Sequence, residues 1–261
     1  MSLQSLKVLT TGTRSGFGKF IAKRLNTSKF DRSFKLNQLD NNYDVIIHCA
    51  SNSSKKILSN EFQQFSYDNF FLTTELLKLN FKHFIFISSI GIYPQSERVY
   101  NEKSNFEIKT RNYYEFLKIM SENYIQKSSK KFTILRVAGL LDKYSRKNSI
   151  KKIISNNNEK ISLSSNSTFN YILYEDLLNF INIVMEKKKL GIFNVSASEN
   201  IKLIDLKNCL NLNKVKFGNY EYITPKIDNT KAKKLYANLK LTTYQNIKKY
   251  LKNLKKKDAK N

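Results

Sequence analysis

Apolar positions fall along the chain in two alternating rhythms. Lys7 to Thr11 is a short apolar run ending in a glycine-bearing turn, and Phe17, Ile21 and Leu25 then recur every fourth residue, so strand, turn and helix follow one another. Lys29 to Ser33 can form a short second strand, and Tyr43 to Ala50 (YDVIIHCA) reads as a strand buried on both faces. A long helix is predicted from about Asn60 to Asn80, with Phe62, Phe65, Phe70, Leu72, Leu76 and Leu77 as its stripe, before the buried strand His83 to Ser89. A helix from about Arg111 to Ser128 and a strand from Phe132 to Val137 come next. Strands alternating with helices at this spacing predict an α/β fold with a doubly wound parallel sheet. Past Gly139 the pattern loosens into a polar stretch with Asn156, Asn157 and Asn158, then a helix at about Glu175 to Lys187, a strand at Ile192 to Val195 and two C-terminal helical segments. We expect residues 1–139 to form the sheet domain and 140–261 mainly a small C-terminal lobe at the ligand-binding edge of the sheet, with about 175–196 returning to the sheet domain.

With 41% apolar and 13% aromatic residues among 261, the chain can bury a sizeable core, which excludes a disordered protein. Seven Gly and two Pro exclude collagen-like and linker-dominated architectures. Cys49 and Cys209 make neither a disulfide framework nor a cysteine-rich zinc site, and read as small buried hydrophobes. No run approaches the roughly 18 apolar residues of a membrane span. The segment MSLQSLKVLTTG lacks the charged start, apolar core and cleavage site of a secretion signal, so a cytoplasmic protein without membrane insertion is expected. The net charge of +25 comes from lysines scattered among Asn and Ile, a compositional bias rather than the concentrated arginines of a phosphate-reading surface. The densest cluster, Lys248, Lys249, Lys252, Lys255, Lys256 and Lys257, lies on a predicted final helix and tail, and no nucleic-acid partner is expected.

Candidate chemistry begins at Thr11-Gly12-Thr13-Arg14-Ser15-Gly16-Phe17-Gly18, between the first strand and first helix. Glycines there let the backbone turn sharply and admit a pyrophosphate to the helix N-terminus. The spacing is GxxxGxG rather than the commoner GxGxxG. Asp31 is the candidate for a ribose diol and Arg32 for a 2′-phosphate, so NAD and NADP both stay open. Tyr114 and Lys118 share one helix face at i, i+4. A close ammonium is expected to lower the phenol pKa and make Tyr114 a proton shuttle, while Ser89, at a strand end, can hydrogen-bond the same substrate oxygen. His48 and His83 read as hydrogen-bonded strand residues, Tyr93 and Tyr113 as packing or rim residues, and no metal site is predicted.

Together these residues resemble the extended branch of the short-chain dehydrogenase/reductase superfamily, the NAD-dependent epimerase/dehydratase family, most of whose members act on nucleotide sugars. TGTRSGFG resembles its cofactor turn, YDVIIHCAS the strand whose end passes the cofactor, and YDNFFLTTELL the helix whose Asn69 braces that region. FIFISSIGIYP resembles the strand carrying the catalytic serine and YYEFLKIMSENYI the catalytic helix, with FTILRVAG, FNYILYEDLLNFI and GIFNVSASENIKLIDL following as later landmarks. The resemblance implies a Rossmann fold with a small C-terminal substrate-binding lobe. It implies NAD or NADP held by Gly12, Arg14, Ser15, Gly16, Phe17, Gly18, Asp31, Arg32, Cys49, Ala50, Ser51, Asn69, Tyr114 and Lys118, and catalysis by Ser89, Tyr114 and Lys118. A sugar substrate, nucleotide-linked, and a homodimer paired through the Asn69 and Tyr114 helices are also implied.

Departures from the family pattern narrow this. Sugar 4,6-dehydratases carry an Asp-Glu pair where Ile90 and Gly91 stand, and fucose-synthase-like enzymes a Cys at Gly91, so neither activity is expected. Many nucleotide-sugar enzymes have an Asn at the Gly139 position and an Arg at the Phe169 position, near the substrate diphosphate; both are absent. The region before YDVIIHCA is abbreviated. The expectation is an NAD(P)-dependent sugar epimerase or ketoreductase, with a non-catalytic dinucleotide-binding or scaffolding protein as the alternative.

Overall fold

A computed structural model describes residues 5–33, 35–40, 42–54, 57–107, 112–146, 148–155 and 160–258. Arg111, Asn156, Asn157 and Asn158, and the side chains of Lys256 and Lys257, lie outside the described residues. The first half runs β1 (Val8–Thr11), α1 (Gly16–Leu25), β2 (Ser28–Phe30), β3 (Asn42–His48), α2 (Phe62–Ser66), α3 (Leu72–Leu76), β4 (Asn80–Ser89), β5 (Val99–Tyr100), α4 (Tyr113–Lys127) and β6 (Phe132–Val137). Then come β7 (Gly139–Leu141), α5 (Ser149–Ser155), β8 (Lys160–Leu163), β9 (Thr168–Phe169), β10 (Tyr171–Leu173), α6 (Tyr174–Glu186) and β11 (Gly191–Val195). The chain closes with β12 (Ile201–Lys202), α7 (Leu203–Cys209), β13 (Lys216–Tyr220), β14 (Lys226–Ile227), α8 (Thr230–Lys233) and α9 (Thr243–Asp258).

The central sheet has the order β2-β1-β3-β4-β6-β11, every pairing parallel. From β1 the chain goes outward to β2 and then crosses back to β3 on the other side of β1. This reversal opens a crevice beyond the carboxyl ends of β1 and β3, where Thr11 lies opposite His48. Helices cover both faces, which is why the strands read as continuous apolar runs. Phe17 and Ile21 of α1 and Leu177, Phe180 and Ile181 of α6 pack with Val8, Ile47, Leu135 and Phe193 on one face. Leu72 and Leu76 of α3 and Ile125 of α4 pack with Leu9, Ile46, Phe84 and Phe86 on the other. A third core, with Leu141, Ile150, Ile161, Tyr171, Leu206 and Ile247, unites the later elements. Lys249 of α9 meets the buried Asp176 of α6 at 3.3 Å, so this lysine of the C-terminal cluster serves the fold.

Two predicted elements and the two cysteines differ from expectation. The segment predicted as one helix to Asn80 is helical from Ser59 but broken by a π turn at Tyr67–Phe71, and it stops at Leu76, so that Asn80 opens β4. The wide turn lets two consecutive polar residues, Asp68 and Asn69, both face inward, and Asn69 Nδ2 donates to the Phe65 carbonyl at 3.0 Å. The stripe splits accordingly: Phe65 is 1% exposed and Phe62 44%. Strand β2 ends at Phe30 because Asp31 starts a turn, its Oδ1 accepting from the Ser33 N–H at 2.9 Å and the Ser33 hydroxyl at 2.6 Å. Cys209, expected inside, is exposed at the end of α7, and Cys49 is half-buried, where burial pushes its thiol up to about 12.

Candidate cofactor and active-site cleft

A cleft of about 1240 Å³ opens at the carboxyl ends of β1, β3, β4 and β6. Gly12 ends β1 at φ +72°, and a Cβ there would stand 2.8 Å from the Ala50 Cα beyond β3. A Cβ on Gly18 would lie 2.4 Å from the Gly12 carbonyl oxygen. These close approaches bring α1 against the turn, with extended Ser15 before the helix and no acid in its first turn. The helix N–H groups and dipole therefore suit an anionic phosphate, and the donor set fits a dinucleotide.

Thr11 ties the two strand ends together: its Oγ1 accepts from the Cys49 N–H at 3.2 Å and the Ala50 N–H at 3.1 Å and lies 2.7 Å from His48 Nδ1. Having accepted twice, the hydroxyl donates to Nδ1, which leaves the His48 proton on Nε2, facing Thr73 Oγ1 at 3.0 Å. Burial, followed by the Lys118 charge, presses the His48 pKa to about 3. His83 pairs with Thr133 Oγ1 at 2.8 Å, and burial lowers it to about 4. Each histidine is thus neutral and held within the central sheet.

At the β2 end of the cleft, Asp31 sits just past that strand, its Oδ2 3.4 Å from the Thr13 hydroxyl. Hydrogen bonds from Ser33 hold its carboxyl below the usual range. Arg32 turns to Asp68 instead, donating from Nε at 3.2 Å and from Nη2. Asn69 Oδ1 accepts from the Asn52 N–H and its Nδ2 donates to the Asn52 carbonyl, each at 3.0 Å, fixing the loop after β3.

Of the residues singled out from sequence for cofactor or catalysis, all border the cleft except Asn69 and Lys118. Ser89 ends β4, and its Oγ accepts from the Gly91 N–H at 3.0 Å. Tyr114 enters on α4, whose first turn is capped by Asn112 accepting from the Glu115 N–H at 3.0 Å. The Tyr114 pKa is raised rather than lowered. Burial raises the Tyr114 pKa, opposed by a hydrogen bond with Ser51 and by the Arg146 charge. Lys118 Nζ donates to the Ile87 carbonyl at 2.9 Å, and burial lowers its pKa to about 8.

Behind the site, Arg136 of β6 pairs with Glu122 of α4 at 2.8 Å, Ser88 donates to the same carboxylate, and Arg136 Nη1 donates to the Tyr93 hydroxyl at 2.7 Å. Tyr93 passes the chain to Asn194 of β11 at 2.8 Å. This buried network locks the helix carrying Tyr114 to the strand end carrying Ser89. Such networks serve geometry more than net stability. Tyr93 is a buried packing residue, whereas Tyr113 is exposed.

Sequence reasoning missed Asp68 and Arg146. The first had a signal, an Asp-Asn pair inside an apolar stripe. Arg146 had none: it lies in the polar stretch after β7, lines the cleft and donates from Nη1 to Ser53. The positions of the absent Asn and Arg are filled by packing. A Cβ at Gly139 would stand 2.5 Å from the Tyr171 ring, and Phe169 stacks between Tyr171 at 6.0 Å and Tyr222 at 5.2 Å.

Comparison with curated proteins gave no match. Solved structures are similar in fold. UDP-glucuronic acid 4-epimerase from Bacillus cereus, in complex with UDP-glucuronic acid and NAD, is 17% identical at TM-score 0.74, over 95% of this chain and 99% of that one. A dTDP-4-dehydrorhamnose reductase from Clostridium acetobutylicum is 16% identical at TM-score 0.75, over 95% and 99%. The dTDP-glucose 4,6-dehydratase from Bacillus anthracis, in complex with NAD, is 14% identical at TM-score 0.75, over 97% of each chain. The model of the NAD dependent epimerase/dehydratase family matches residues 8–196, most of the chain, and the protein belongs to that family.

Proposed function

We propose that the protein is an NAD(P)-dependent epimerase or ketoreductase that transfers hydride at a carbinol or ketone of a sugar, nucleotide-linked, with Ser89, Tyr114 and Lys118 as its catalytic set. The observation that carries this reading is that Ser89 and Tyr114 border the same cleft as the Gly12–Gly18 turn. Family membership and the activities named for the B. cereus and C. acetobutylicum proteins support it.

The glycine turn and α1 would hold the pyrophosphate and Asp31 the adenosine ribose; a bound nicotinamide supplies or accepts the hydride. The Ser89 hydroxyl donates a hydrogen bond to the reacting sugar oxygen. Tyr114, its pKa raised by burial, rests protonated and gives that proton to the oxygen of a ketone under reduction; the phenolate left by that transfer takes a proton from a carbinol under oxidation. An ammonium has three donors. Ile87 takes one from Lys118, and the others would serve the nicotinamide ribose of a bound dinucleotide. Arg146 brings positive charge to the substrate half of the cleft.

Dehydration is left without agents. Ile90 and Gly91 supply no carboxylate, and Glu115, whose Oε1 lies 3.3 Å from where a Gly91 Cβ would stand, is outside the cleft lining. We also read the exposed aromatic side chains of α2, the π turn and α4 as a homodimer face.

The test is to purify the protein without added cofactor, denature it and identify any released dinucleotide. Retained NAD near one per chain is expected for an epimerase that recycles it. An empty protein that then binds a reduced dinucleotide favours the ketoreductase, and failure to bind any dinucleotide overturns the reading.

A further inference from the structure

Beside the ribose site, Arg32 has the charge to welcome a 2′-phosphate, yet the fold commits that charge elsewhere. We propose that Asp68, by holding the Arg32 guanidinium, makes the protein select NAD(H) over NADP(H). The inference rests on the dinucleotide-binding reading above.

The Asp68 side chain is only 9% exposed. Its Oδ1 accepts from Arg32 Nε at 3.2 Å and from Gln64 Nε2 at 3.0 Å, and its Oδ2 accepts from Arg32 Nη2 and from Asn52 Nδ2 at 3.2 Å. Gln64 and Asn52 thus keep the carboxylate from swinging away. The π turn beneath is fixed too, since Ser121 Oγ donates to the Asn69 carbonyl at 2.9 Å. Arg32 therefore offers its Nε and Nη2 edge to a built partner, the side-on geometry by which a guanidinium grips one anion.

The remaining charges at this end of the cleft balance. Asp31, Asp68 and Glu61 stand against Arg14, Arg32 and Lys35. A 2′-phosphate would bring nearly two more negative charges beside Asp31 and Asp68, where the Arg32 guanidinium is already committed. A ribose diol brings none, and Asp31 Oδ2, with only its 3.4 Å contact to Thr13, can accept from it. Arg32 is still 57% exposed, so its planar face remains open to an adenine ring.

The test is equilibrium titration with NADH and NADPH, followed by the dihydronicotinamide fluorescence, which no tryptophan in this chain obscures. The unaltered protein should bind NADH at least about tenfold more tightly than NADPH. Asp68→Asn, which removes the charge but keeps a similar shape, should tighten NADPH by roughly tenfold relative to NADH. Arg32→Gln should erase that gain in the Asp68→Asn background, and alone should change both affinities by the same factor. Equal binding of the two dinucleotides by the unaltered protein, or NADPH alone weakened by Arg32→Gln, overturns the proposal; both readouts stand even if Asp68→Asn fails to fold. Failure to bind either dinucleotide overturns the dinucleotide reading as well.

Discussion

Tyr114 owes its protonation to its surroundings rather than to the lysine one turn away. Sequence spacing made the two neighbours legible, since residues at i and i+4 share a helix face. It could not encode where the ammonium points. The Ile87 carbonyl at the end of β4 fixes that, across thirty-one positions of sequence, and takes Lys118 Nζ away from the phenol. The ring of Tyr114 is still 5.7 Å from Nζ, so the pair packs without sharing a hydrogen bond. A half-buried, protonated phenol at the cleft suits donation to a ketone oxygen. Replacing Tyr114 with Phe removes the proton and little volume, so kcat should fall by about 10² to 10⁴ while dinucleotide affinity is largely kept. Turnover with a sugar substrate and dinucleotide titration on the same preparation check this; undiminished kcat would remove Tyr114 from the chemistry.

Elements were legible where packing follows local periodicity, and less so where buried polar groups reshape the backbone. The central strands β1, β3, β4 and β6 were visible because helices on both faces make them largely apolar. The π turn was not, because the cause of its width is tertiary: Asp68 must reach Arg32 while Asn69 reaches Asn52. Two buried histidines on neighbouring strands carry a consequence for pH. His48 titrates near 6.5 when unfolded and about 3 when folded, and His83 near 6.5 and about 4. Between those values the unfolded chain binds protons that the folded chain refuses, so stability rises with pH across this window and is lost as pH falls through it. At pH 5 each histidine should cost about 2 kcal/mol relative to pH 7. Thermal midpoints measured from pH 7 to 5 should fall steeply, and His48→Gln should flatten the slope by about half. A slope indifferent to that substitution would mean that carboxylates alone set the acid limb.

At the scale of the whole molecule, a protein of net charge +25 repels its own copies, yet it leaves an aromatic face open. Phe62, Tyr67 and Phe71 on the α2 and π-turn side, and Tyr113, Phe116 and Tyr124 on α4, are each more than a third exposed. They are organised rather than scattered, with Phe62 edge-on to Tyr113 at 5.3 Å and Phe70 edge-on to Tyr124 at 6.1 Å, so the rings join the two helices into one surface. Covering what these rings expose would bury on the order of 600 Å² per protomer, most of the ~800 Å² per partner of a standard interface. The resemblance pointed to pairing through these helices, but from sequence Phe62, Phe65 and Phe70 read equally as core, and only burial separates Phe65 from the rest. A second copy of the chain is the occupant that places like charge against like charge, so association should strengthen as salt screens that repulsion, the reverse of what nucleic acid or an acidic partner would show. Light scattering should give a mass near twice 30.6 kDa at micromolar concentration and moderate salt. Phe71→Lys with Phe116→Lys should yield a monomer whose thermal midpoint at low concentration matches that of the unaltered chain, since neither side chain belongs to the core. A monomer at every salt and concentration would leave the face to another partner.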